Sequence, residues 1–140
     1  MIVVDANVIA YRFIVGEKTE LACAVQEKDR SWIVPALWRH EFLNILATTV
    51  RARILTTSEA GAVWIDALRL LEKRERPLHY EGAVACAVEA RISAYDAQYV
   101  TLARMHNCCC VSEDSRLRRA FPGIVLSMKE FLKAGKHHNS

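Results

Sequence analysis

Nowhere does the sequence hold an apolar run near the roughly 20 residues that cross a bilayer, so a membrane-embedded protein is not expected. The opening, Met1 to Val4, has no basic leader and is interrupted by Asp5, which argues against a secretory signal and makes the cytoplasm the default location. No Cys-x-x-Cys pair or Cys/His ligand spacing is present, and a structural zinc site is not expected. The five cysteines do not build a disulfide framework either. Cys108, Cys109 and Cys110 are consecutive, and neighbours on a strand point to opposite faces. Cys23 and Cys86 fall inside helical patterns, so buried, reduced thiols are the expectation. Internal repeats and low-complexity segments are also missing.

What remains is an ordinary globular composition over 140 residues, 52% hydrophobic and 25% charged, enough for one domain with a proper core. We expect that domain over residues 1–134, with 135–140 a disordered polar tail whose His137 and His138 have no role. A formal net charge of +3 is weak evidence for a nucleic-acid partner. It says more if several acids gather in one pocket, because the remaining surface is then more basic than the total.

Hydrophobic periodicity predicts helices over 6–15, 19–28, 36–51, 58–73, 81–91, 95–106, 115–120 and 128–133. Ser58 and Ser127 are the expected caps of the fourth and last, and Pro35 suits the entry to the third. Short strands are expected over 1–4, 31–34, 78–80, 108–111 and 123–126, with 73–76 a charged, exposed break. Strands alternating with helices predict an α/β fold, a three-layer α/β/α sandwich around a parallel sheet.

Four acids stand at informative places. Asp5 ends the apolar opening strand, at the sheet edge where open α/β folds keep their ligands. Glu41 shares a helix face with Leu37, Trp38 and Ile45, and Asp96 shares one with Val100 and Ala103. Asp114 follows one strand and precedes Ser115 to Arg119. Each has a plainer explanation: helix capping for Asp5 and Asp114, a first-turn acid or helix cap for Asp96, and an ion pair with Arg39 or another arginine for Glu41. Glu113 competes with Asp114, although only one of two adjacent residues is expected to point inward. Taken together, the four suit one edge of a parallel sheet. Carboxylates packed that closely repel one another unless cations lie between them. An oxygen-only donor set fits Mg²⁺ or Mn²⁺, one or two ions, and such ions support phosphodiester hydrolysis.

The segments VVDANVI, PALWRHEFLNIL, SAYDAQYVTLA and VSEDSRL give the chain its resemblance to the PIN-domain nucleases, in particular the VapC-type toxins of toxin–antitoxin modules. The resemblance covers nearly the whole length. It implies a metal-dependent endoribonuclease in which Asp5, Glu41, Asp96 and Asp114 are catalytic and ligate metal, directly or through water. It also implies that Asn7 and Ser112, the latter standing where threonine is more frequent, hydrogen-bond the acids or the metal's waters. Arg12, Arg39, Arg116, Arg118 and Arg119 are candidates for RNA phosphates, or else a solvated face. Relatives form homodimers and bind a small antitoxin; the helices over 36–51 and 58–73, with Trp38, Phe42 and Trp64, offer surfaces for that or pack into the core.

Other readings stay open at this point. The same acids suit a nuclease acting on DNA or in RNA processing, or an inactive PIN scaffold. A receiver-like signalling domain also clusters acids around Mg²⁺, but it needs a late lysine at a strand end, and Lys129, Lys133 and Lys136 fall in the last helix and tail.

Overall fold

A computed structural model describes residues 1–135. All but the first residue of the expected tail, with His137 and His138, therefore lies outside the described residues. Strand β1 (Ile2–Val4) is followed by α1 (Ala6–Phe13), α2 (Thr19–Lys28), β2 (Trp32–Ile33), α3 (Trp38–Arg51) and α4 (Thr57–Leu71). Then come α5 (Tyr80–Ala90), α6 (Ala94–Met105), β3 (Cys110–Val111), α7 (Ser115–Ala120), β4 (Val125–Leu126) and α8 (Met128–Lys133). The strands form one sheet in the order β2-β1-β3-β4, every pairing parallel.

β1 is apolar throughout because it is an inner strand covered on both faces. Side chains alternate across it. Ile2 and Val4 enter a core with Val8, Val25, Trp38, Phe42, Leu71 and Phe131, while Val3 enters a second core with Val100, Leu102, Leu117 and Val125. Helices α1 to α4 and α8 thus cover one face, and α5 to α7 the other. This is the three-layer sandwich that the sequence predicts. Among the described residues no helix is long and apolar enough to cross a membrane.

Several local expectations are corrected. Residues 78–80 are no strand: the His79 ring accepts from the Gly82 amide at 3.1 Å, and α5 starts at Tyr80. The extra parallel bridge joins Val34 to Glu75 instead. Glu75 accepts from the Trp38 indole at 2.6 Å and pairs with Arg39 at 2.5 Å, so the segment expected to be a solvated break is half-buried from Arg74 to Arg76. Thr56, not Ser58, caps α4, in a reciprocal capping box with Glu59. Trp38 and Phe42 are fully buried and stack with Trp64 in the core, which removes those two from any partner surface. All five cysteines are free; Cys86, Cys109 and Cys110 are buried, whereas Cys23 and Cys108 are only partly so.

Candidate active site

Asp5 sits at the carboxyl end of β1, and both of its oxygens are engaged. Oδ1 accepts from the Val8 amide at 3.1 Å and caps α1; Oδ2 accepts from the Ser112 hydroxyl. Ser112 follows β3, the neighbouring strand, and is fully buried. Its Oγ also accepts from the Asp114 amide at 3.1 Å. The β1–β3 pairing therefore ties Asp5 to the Asp114 backbone through one hydroxyl. Burial first, and then the negative charge of Glu41, push the Asp5 carboxyl up to about 6, against the hydrogen bonds from Ser112 and Val8.

Glu41 lies in the first turn of α3 and Asp96 in the first turn of α6. Arg39 is committed to Glu75, so the simple ion-pair explanation of Glu41 fails. The Tyr99 hydroxyl donates to Glu41 Oε1 at 2.5 Å instead. Asp96 is the first-turn acid of α6 but not its cap, because Ser93 caps the helix by accepting from the Asp96 amide at 3.0 Å. Both carboxyls are raised, by burial first and then by a neighbouring acid: Asp96 acts on Glu41, and Asp114 acts on Asp96. Capping does describe Asp114, whose Oδ1 accepts from the Arg116 and Leu117 amides at 2.9 and 3.3 Å. For Asp5 and Asp114 the capping role and a place in the lining of a cleft coexist.

Three of the four acids open into one cleft of about 200 Å³, lined by Asp5, Ala6, Asn7, Glu41, Asn44, Ile45, Asp96 and Tyr99. A second cleft of about 380 Å³ shares Asp96 and adds Ser93, Asp114, Arg91 and Arg116. The structure thus sets Asp5, Glu41 and Asp96 around one opening, with Asp114 beyond Asp96 in the next. Among the described residues no group of three His, Cys, Asp or Glu side chains stands ready-formed to hold a metal ion. The donor chemistry nevertheless suits a hard divalent cation: the first cleft offers carboxylate, amide and phenol oxygens, with no arginine or lysine in its lining.

The remaining sequence candidates divide. Asn7 lines the first cleft, and Ser112 binds the acids as expected. Arg116 lines the second cleft. Arg118 donates to the Ser112 carbonyl at 3.1 Å and lies 3.5 Å from Glu130; Arg119 is exposed and lines neither cleft. Arg12 is not at the acids but binds Gln26 at 2.5 Å beside a separate cavity, and Arg39 is held by Glu75. Glu113 pairs with Lys18 at 3.3 Å and accepts from the Met128 amide at 3.0 Å, which leaves Asp114 as the acid at the cleft. Sequence reasoning missed Tyr99, Asn44 and Arg91. Tyr99 and Asn44 each stand three residues after an acid on the same helix face, and that spacing was a usable signal.

No curated protein sequence matches the chain. Among solved structures, that of PAE2754 from Pyrobaculum aerophilum is similar over 94% of this chain and 92% of that one, with a TM-score of 0.71 and 19% identity. The structure of FitAcB from Neisseria gonorrhoeae is similar over 92% of this chain and 99% of that one, with a TM-score of 0.69 and 19% identity. At this level of identity the likeness speaks for the fold. The sequence model of the PIN domain matches residues 2–121, which run from β1 to the end of α7 and include all four acids, and the chain belongs to the PIN domain family.

Proposed function

We propose that this protein is a divalent-metal-dependent endoribonuclease and the toxin of a VapC-type toxin–antitoxin pair. One observation carries the reading: three carboxylates from β1, α3 and α6 line a single cleft that has no cationic side chain. PIN domains are generally nucleases, which favours hydrolysis over a receiver-like role. Asp5, Glu41 and Asp96 would hold Mg²⁺ or Mn²⁺, with Asp114 reaching it through water. The ion, when bound, supplies an activated water and charge stabilisation at the phosphorus. The chain's own part is orientation. Ser112 fixes the Asp5 carboxylate, Tyr99 fixes Glu41, and Asn7 and Asn44 offer amides to ordered water or to substrate.

The test compares single-stranded RNA and DNA as substrates, with Mn²⁺ and with EDTA, for the parent, Asp5→Asn and Asp96→Asn. Mn²⁺-dependent RNA cleavage by the parent alone, with all three folded by circular dichroism, is the expected result. Equal cleavage by all three removes the assignment, and cleavage of DNA alone moves the target. The toxin role predicts growth arrest on expression, relieved by the product of a short neighbouring gene. A homodimer belongs to the same reading. The exposed stripe Tyr80, Val84 and Val88 along α5 would be its first surface, beside exposed Leu43 and Ile65 on the two helices that the sequence pointed to.

A further inference from the structure

Arg91 ends α5 in the left-handed region, at φ 57° and ψ 45°. Glycine adopts that conformation freely and usually occupies this position, whereas a side chain there is strained. The backbone is locked in place, since the Ile92 amide donates to the Ala87 carbonyl at 3.1 Å. A strained residue held so firmly raises the question of what its side chain does.

The surroundings supply an answer. Arg91 lines the second cleft together with Arg116 and Ser93, and that cleft adjoins the acidic one through Asp96, which lines both. Arg12, Arg30, Arg39 and Arg118 are all engaged within the chain, and Arg116 lies 3.9 Å from Asp114. Among the described residues the Arg91 guanidinium has no hydrogen bond or ion pair. A free guanidinium at the mouth of a cleft beside an acidic centre suits an anion that continues past that centre. A nucleic-acid backbone has this form, one phosphate at the carboxylates and the next at the arginine.

We propose that Arg91 is a substrate-binding residue that holds the backbone phosphate adjoining the scissile one, with Arg116 as the second cation of the same cleft. This rests on the nuclease reading above and gives that site a direction: substrate runs from the Asp5–Glu41 cleft across Asp96 toward the end of α5.

Arg53 provides an internal control. It also has a positive φ, 60°, beyond the end of α3, yet lines neither cleft. Arg91→Gly and Arg53→Gly relieve the same backbone strain, so both variants are expected to fold and to melt no lower than the parent. Steady-state cleavage of single-stranded RNA with Mn²⁺, over a series of salt concentrations, then separates them. Arg91→Gly is expected to raise KM about tenfold at unchanged kcat, the loss of one charge-assisted contact. Its dependence of log kcat/KM on log salt should be shallower by about 0.7, the share of one phosphate contact on a single strand. Arg91→Lys should recover part of the affinity, and Arg53→Gly should match the parent in KM and slope. A parent that cleaves RNA while Arg91→Gly keeps its KM and salt slope overturns the subsite and leaves the nuclease standing. A parent that cleaves nothing overturns both.

Discussion

Asp5 does two jobs with two oxygens, one capping α1 and one bound to Ser112. Asparagine caps as well as aspartate but lacks the charge, so Asp5→Asn is expected to fold normally without cleaving. Asp5→Ala should lose, in addition, about 1 kcal/mol of stability in urea. Its raised pKa makes a second prediction for the metal-free protein. The folded chain holds the Asp5 proton more tightly than the unfolded chain, whose carboxyl titrates at the ordinary 3.8 against about 6 in the fold. The stabilisation is therefore complete below the lower value and disappears as pH rises through the upper one. Moving from about pH 7.5 to about pH 5 should add on the order of 1 kcal/mol from Asp5, and Asp5→Asn should lose that share while keeping the parts that Glu41 and Asp96 contribute. Added Mn²⁺ should reverse the trend in melting temperature, because ligation needs the deprotonated carboxylate. Tyr99→Phe frees Glu41 while keeping the ring in the core. Mn²⁺ affinity, read by calorimetry, should fall about tenfold, as for other groups that orient a ligand.

The elements were legible in the sequence wherever hydrophobic spacing alone decides. β1 could be read because an inner parallel strand is apolar on both faces, and most helices lie within two residues of their expected ends. The failures came where a distant side chain decides. Leu78 to Tyr80 has the composition of a strand, but the His79 ring caps a helix there. Glu75 has the look of a solvated charge, yet Trp38 and Arg39, more than thirty positions earlier, draw it in. Burial works against its ionisation, but the bonds from Arg39 and Trp38 prevail and hold its carboxyl below the usual range. Glu75→Ala strands the indole N–H of a fully buried tryptophan, and equilibrium unfolding should show a loss of about 1–3 kcal/mol. The four acids stand out in the sequence from junctions and stripes alone. Their division between two clefts, and the Tyr99 bond to Glu41 across 58 positions, have no local signature.

For the molecule as a whole, the outer side of α5 stands out, with Val84 at 59% and Val88 at 74% exposure. The double substitution Val84→Glu with Val88→Glu should turn a dimeric parent into a monomer by sedimentation without lowering its melting cooperativity. The sheet order bears on the cell as well as on the fold. β1 lies between β2 and β3, and Ser112, which locks Asp5, follows β3 more than a hundred positions downstream. A ribosome delivers these segments one after another, and a nascent fragment ending before β3 carries every residue that lines the acidic cleft but not Ser112, the hydroxyl that holds the Asp5 carboxylate. The cleft thus takes its final geometry only after all of its own lining residues have been made.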